Sequence, residues 1–156
     1  SSPSRGLGDV YKRQAFMPAK DTWEQRIQAV TNGGMEAVVD ATTERWITSE
    51  GRDRLPGQVE LIRQMILKTP VQGFVACSEA IKSMDMRTTN PKISAPTLVI
   101  CGEQDTGTTP QQAKEIADAI PNSKLELISD AAHLANIEQH EVFNRLLSHF
   151  LANIDG

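Results

Sequence analysis

The sequence predicts an α/β chain: a helical segment followed by a small two-strand parallel βαβα unit. Three observations carry this. Between residues 21 and 84, apolar side chains recur at helical spacing, with turn residues between the runs. After residue 91, two short apolar runs at 96–102 and 124–128 alternate with amphipathic helical patterns. The composition, 39% hydrophobic and 23% charged with a net charge of −4, is ordinary for one soluble domain.

Residues 1–14, SSPSRGLGDVYKRQ, show no periodicity and are rich in Ser, Gly and basic side chains. They resemble a translated sequencing-adaptor scar. They are expected to be non-native or a disordered tail, and are excluded from fold reasoning. The first helix opens at Asp21 with Glu24 three residues on, a capping-box-like start. Trp23, Ile27 and Val30 share its face, and Asn32-Gly33-Gly34 ends it. Met35, Val38, Val39, Thr42 and Trp46 mark a second helix running to about Thr48. Residues 49–55 read as a polar loop. Pro56 suits the first turn of a third helix, carrying Val59, Ile62 and Ile66. Thr69-Pro70 ends it, and Phe74, Cys77, Ile81 and Met84 share the face of a fourth. These four helices either pack on one another or lie as a lid over something else.

The second part opens with a connector containing Asn90-Pro91. The continuous apolar run at 96–102, bounded by Pro and Gly, fits a strand buried on both faces. Thr109-Pro110-Gln111-Gln112 supplies an N-cap, a proline at the first helical position and a glutamine at N3. Ala113, Ile116, Ala117 and Ile120 follow at helical spacing. A second strand spans 124–128, then comes a small-residue turn carrying His133. The last helix aligns Phe143, Leu146, Leu147, Phe150, Leu151 and Ile154. A lone parallel pair makes a poor sheet. The expectation is therefore the edge of a larger sheet, in a truncated chain.

No apolar run reaches membrane-spanning length, and no secretory leader is visible. The mild negative charge, with scattered Lys and Arg, gives no case for nucleic acid or an anionic membrane. Cys77 and Cys101 form no CxxC pair and are expected to be reduced and buried, in a cytoplasmic protein. No metal or other cofactor is expected. The spacing of His133 and His140 matches no strong zinc motif. Oligomeric state is left open.

Asp105 and His133 each follow the carboxyl end of a predicted strand, where open parallel sheets bind ligands. An ionised carboxylate that orients an imidazole, which then accepts a proton from a nucleophile, needs this placement. Taken singly, Asp105 reads as a turn former and His133 as a packed residue. Together they favour an acid–base pair.

The stretch from Pro96 to Asp105, Thr109-Pro110, and Ala132-His133 before an amphipathic helix resemble the C-terminal part of an α/β-hydrolase. Within that superfamily, further pieces resemble the 3-oxoadipate enol-lactonases: Trp23-Glu24-Gln25-Arg26-Ile27, Gly34-Met35, Arg45-Trp46-Ile47-Thr48, Thr69-Pro70-Val71-Gln72-Gly73-Phe74 and Ala132-His133-Leu134-Ala135-Asn136. The resemblance covers about residues 15–151. It implies a helical cap over residues 15–90 and a C-terminal portion of the core over 91–156. It also implies hydrolysis of a small carboxylated lactone or ester in aromatic-compound catabolism (the β-ketoadipate pathway). A serine would attack, His133 would serve as base then acid, and Asp105 would orient it. Arg45 and Trp46 become candidates for substrate contact, a guanidinium for a carboxylate and an indole for an apolar wall. The bland reading keeps Trp46 in the core and Arg45 on the surface.

The departure from that pattern is large. The sequence has no Gly-x-Ser-x-Gly and no oxyanion-hole segment, so the chain alone is expected to be inactive. Alternatives are another capped α/β-hydrolase (a carboxylesterase, a haloperoxidase-like enzyme or a carbon–carbon bond hydrolase) or a non-catalytic helical interaction module.

Overall fold

The computed structural model describes residue 15 and residues 20–154. The expectation for residues 1–14 lies outside the described residues.

Five helices come first: α1 (Lys20–Gly33), α2 (Glu36–Trp46), α3 (Ser49–Arg54), α4 (Pro56–Leu67) and α5 (Val71–Lys82). The sequence reading had four, with a loop at 49–55. The difference is α3, a six-residue helix capped by Thr48, whose hydroxyl accepts from the Gly51 N–H at 2.9 Å. Its run Ser-Glu-Gly-Arg-Asp-Arg has no apolar periodicity, so the cap and tertiary contacts form it rather than an amphipathic face.

Helix α2 packs against α1 and α4, and α1 against α5. Val30, Met35, Val38, Val39, Ile47, Ile62 and Ile66 form their shared core. Lys82 of α5 bridges to Glu24 of α1 at 2.6 Å, and Arg63 of α4 pairs with Asp40 of α2. Cys77 corrects an expectation: it is exposed, while Cys101 is buried. On α5 the most buried position is Ser78, and Phe74 and Ile81 lie three or four residues either side of it. Cys77 is turned about 100° from that stripe.

A short 3-10 turn (Asn90–Lys92) leads into β1 (Thr97–Gly102), α6 (Pro110–Ala119), β2 (Ser123–Ile128), α7 (Ala135–Glu138) and α8 (His140–Ala152). The strands pair in parallel, from Thr97 opposite Ser123 to Gly102 opposite Ile128. Every residue of β1 is buried. Alternate side chains enter two layers, as strand geometry requires. Val99 and Cys101 meet Ala113, Ile116 and Ile120 of the α6 layer. Leu98 and Ile100 meet Ile128, Ala131 and Phe143 of the α8 layer. The capping box at Thr109 and Gln112 forms as its sequence implies.

The final helical run divides at Gln139, giving the single turn α7 before α8. Leu134 and Ile137 of this region pack on the core of the five helices. The two parts of the chain therefore meet at the segment carrying His133. Among the described residues, no helix is long and apolar enough to cross a membrane.

Candidate active site

The parallel register puts the ends of β1 and β2 level, so the loops after them run side by side. They are joined by backbone bonds: Glu103 N donates to Ile128 O at 2.9 Å, and Gln104 N to Ala131 O at 2.9 Å. Gly102 is required at this junction. A Cβ there would overlap the carbonyl oxygens of both Ala131 and Ala132. Asp130 opens the histidine turn with φ of 54°, a left-handed conformation that Asp tolerates better than most residues.

Asp105 is 5% exposed and accepts four hydrogen bonds. Its Oδ1 accepts from Gly107 N at 2.8 Å and Thr108 N at 2.9 Å, which makes the Asx-type turn its residue type favours. Its Oδ2 accepts from the Thr108 hydroxyl at 2.6 Å and faces His133 Nδ1 at 2.8 Å. Asp105 thus closes the turn with Oδ1 and meets the imidazole with Oδ2. Burial pushes its carboxyl upward, but the His133 and Thr108 hydrogen bonds together hold it below the usual carboxylate value. The acid is therefore ionised, and an ionised Oδ2 favours a proton on Nδ1 of His133. In the neutral ring Nε2 is then the acceptor nitrogen, and it has no hydrogen-bond partner among the described residues. The His133 side chain is 21% exposed.

Trp46 closes one side of the imidazole. Its ring stacks on His133 with centroids 6.0 Å apart and an interplanar angle of 29°. Its backbone carbonyl accepts from Leu134 N at 2.9 Å. The indole also packs against the helical core, so it touches both that core and the imidazole. The structure thus gathers Asp105, His133 and Trp46. Arg45 instead lines a groove between α1 and α2 whose lining includes neither Trp46 nor His133.

Two contributors escaped the sequence reading. Thr108 is one, and the spacing Asp105-Thr106-Gly107-Thr108, an Asx turn closed by a hydroxyl, is the signal that could have found it. Glu138 is the other. It is 4% exposed. Its Oε1 accepts from Thr48 N at 3.0 Å and the Thr48 hydroxyl at 2.6 Å, and its Oε2 from Ala132 N at 2.7 Å. Its main-chain carbonyl accepts from Arg54 at 2.9 Å. One buried carboxylate therefore ties the five-helix part to the residue preceding His133. Gly51 makes room for it, since a Cβ there would overlap Oε1. Nothing local in the sequence marks a glutamate as buried.

Cys101 lies below this pair but offers no nucleophile. Burial, and then the neighbouring Asp105 charge, push its thiol up to about 12, so it stays protonated at neutral pH.

A family model described as alpha/beta hydrolase fold matches residues 16–139. The chain is 33% identical over 135 residues to 3-oxoadipate enol-lactonase 1 of Acinetobacter baylyi, covering 86% of this chain and 50% of that protein. With 3-oxoadipate enol-lactonase 2 of the same organism it shares 32% over 122 residues, covering 78% and 45%. The crystal structure of the enol-lactonase from Burkholderia xenovorans superposes with a TM-score of 0.87 at 32% identity, over 91% of this chain and 54% of that one. A thermophilic esterase from Thermogutta terrifontis gives 0.82 at 28% identity, over 92% and 54%. The chain spans about half the length of the curated relatives it matches. Mostly helical, with two parallel strands whose ends carry an Asp–His pair, this chain belongs to the α/β-hydrolase fold family.

Proposed function

We propose that the chain carries the acid and the base of an enol-lactonase-like hydrolase, and that its substrate is a small carboxylated lactone. The observation that carries the reading is the 2.8 Å contact of Asp105 Oδ2 with His133 Nδ1, with Nε2 unpaired among the described residues. The enol-lactonase and esterase relatives support the bond class, an ester or lactone. In this proposal α1–α5, within residues 15–90, form a cap, and residues 91–156 the end of the hydrolase core.

The sequence holds no Gly-x-Ser-x-Gly, so the nucleophilic serine is supplied from outside these residues. As it attacks the lactone carbonyl, its proton passes to His133 Nε2. Asp105 stays ionised and stabilises the imidazolium. His133 then returns the proton to the departing ring oxygen as the C–O bond opens. In the second half it takes a proton from water as the water adds to the acyl-enzyme carbonyl, and gives it to the serine oxygen as that C–O bond breaks, releasing the carboxylic acid product and the free serine. Trp46 holds the imidazole plane and gives the site an apolar wall. The place of this chemistry is aromatic-compound breakdown in the cytoplasm.

The test is a chimera. The nucleophile-bearing part of an α/β-hydrolase relative is joined ahead of residue 15. The folded chimera is expected to hydrolyse 3-oxoadipate enol-lactone, and His133→Ala to lower kcat by about a thousandfold or more. Turnover of simple esters but not the lactone would replace the substrate. Activity indifferent to His133→Ala would overturn the mechanism.

A further inference from the structure

Three polar atoms meet in the acid–base pair, and the third belongs to Thr108. Its hydroxyl oxygen lies 2.6 Å from Asp105 Oδ2 and 3.1 Å from His133 Nδ1, while Oδ2 and Nδ1 are 2.8 Å apart. A hydroxyl carries one proton and two acceptor lone pairs, and an ionised carboxylate can only accept. The 2.6 Å separation is that of a charge-assisted O–H···O⁻ bond. The Thr108 proton therefore goes to Oδ2, and the hydroxyl turns a lone pair toward Nδ1. A ring nitrogen set against two acceptors is favoured in its N–H form.

The turn itself does not depend on this hydroxyl. Asp105 Oδ1 closes it by accepting from the main-chain N–H groups of Gly107 and Thr108. The backbone around Thr108 is anchored independently as well. Its carbonyl faces the Cys101 thiol at 3.4 Å, and the next N–H, of Thr109, donates to Gln112 Oε1 at 2.9 Å. The side chain is half-buried and β-branched, which restricts the rotation that would swing the hydroxyl away. An anchored backbone thus delivers the hydroxyl to the one carboxylate oxygen that meets the imidazole. Burial raises the Asp105 carboxyl, and the Thr108 hydroxyl stands with His133 among the groups that bring it down.

We propose that Thr108 is a positioning residue of the acid–base pair: its hydroxyl donates to Asp105 Oδ2, accepts from His133 Nδ1–H, and so fixes the tautomer in which Nε2 is the acceptor. It acts through Asp105 and His133, not on the reacting atoms. Its use in a reaction rests on the hydrolase reading above. The lock itself rests on the three contacts.

The test is NMR on the full 156-residue chain, comparing the parent with Thr108→Val and Thr108→Ser. The His133 ring nitrogens report the tautomer of the neutral imidazole, and the Asp105 carboxyl carbon reports its titration. Thr108→Val removes the hydroxyl and keeps the main-chain bonds of the turn. It is expected to raise the ratio of the Nε2–H to the Nδ1–H form about tenfold, the effect of one hydrogen bond, and to move the Asp105 midpoint upward. Thr108→Ser should return both to the parent values. A hydroxyl with only a structural role would lower Tm and leave the ratio and the midpoint in place. That result overturns the proposal, as does a serine variant that fails to restore them or a valine variant that does not fold. Asp105→Asn separates this proposal from the reading it rests on. If that change leaves the ring unaltered, the acid–base pair fails and the lock with it. A ring that answers to Asp105→Asn but not to Thr108→Val sinks the lock alone.

Discussion

Asp105 divides its work between its oxygens, Oδ1 closing the turn at Gly107 and Thr108 and Oδ2 meeting the imidazole. The consequence is measurable in stability. Its folded pKa lies below the unfolded one, so its contribution is full above the unfolded carboxylate value of about 4. It is lost as pH falls through the folded value. The Tm gap between the parent chain and Asp105→Asn is therefore expected to be widest above about pH 4 and to shrink in stronger acid. A gap independent of pH would show that Asp105 is not held as a carboxylate. Residue types and their spacing made Asp105 and His133 legible in the sequence. Trp46 was legible only as ambiguous, because an apolar position on a helix face does not say what lies beyond it. Arg45 was legible as a charge. Its direction was not, since the groove it lines also depends on Arg26 of another helix.

At the scale of elements, periodicity located the long helices and both strands, and cap chemistry located Pro56 and Thr109. What it could not show is where tertiary bonds make or break a helix. α3 exists where the sequence shows only polar residues, because Thr48 caps it and Glu138 holds Thr48. The last helix stops and restarts at Gln139, whose side chain donates to Asp130 O at 3.1 Å across the histidine turn. The Glu138–Thr48 and Gln139–Asp130 contacts join residues 90 and 9 positions apart, beyond a local window. The Glu138 strap predicts strong coupling. Glu138→Gln puts an amide donor against the N–H of Thr48 or of Ala132, and should cost about 1–3 kcal/mol. Thr48→Ala should cost about 1–2 kcal/mol as a lost cap and hydroxyl. In a double-mutant cycle by chemical denaturation the two costs are expected to be markedly non-additive, because they break the same bond. Simple additivity would refute the strap.

Over the whole molecule, the all-buried β1 between α6 and α8 made the α/β class readable from one apolar run. A strand with polar alternation would not have implied two covering layers. The close meeting of the two strand ends was less readable, although Gly102 is its trace. Only the folded chain shows that Gly102 lies against the carbonyls of the histidine turn. The same architecture ties the five helices to that turn through Glu138 and through Trp46. The chain, spanning about half the length of the curated relatives it matches, brings Asp105 and His133 together with Trp46 stacked beside them. The central claim is that this fold holds His133 oriented by Asp105, with Nε2 available to take a proton. Nitrogen-15 NMR of the imidazole ring in the 156-residue chain measures this directly. The account predicts that in the neutral imidazole of His133 the proton sits on Nδ1 and Nε2 is bare, and that Asp105→Asn abolishes this preference. A proton found on Nε2, or a ring unaffected by Asp105→Asn, would contradict it.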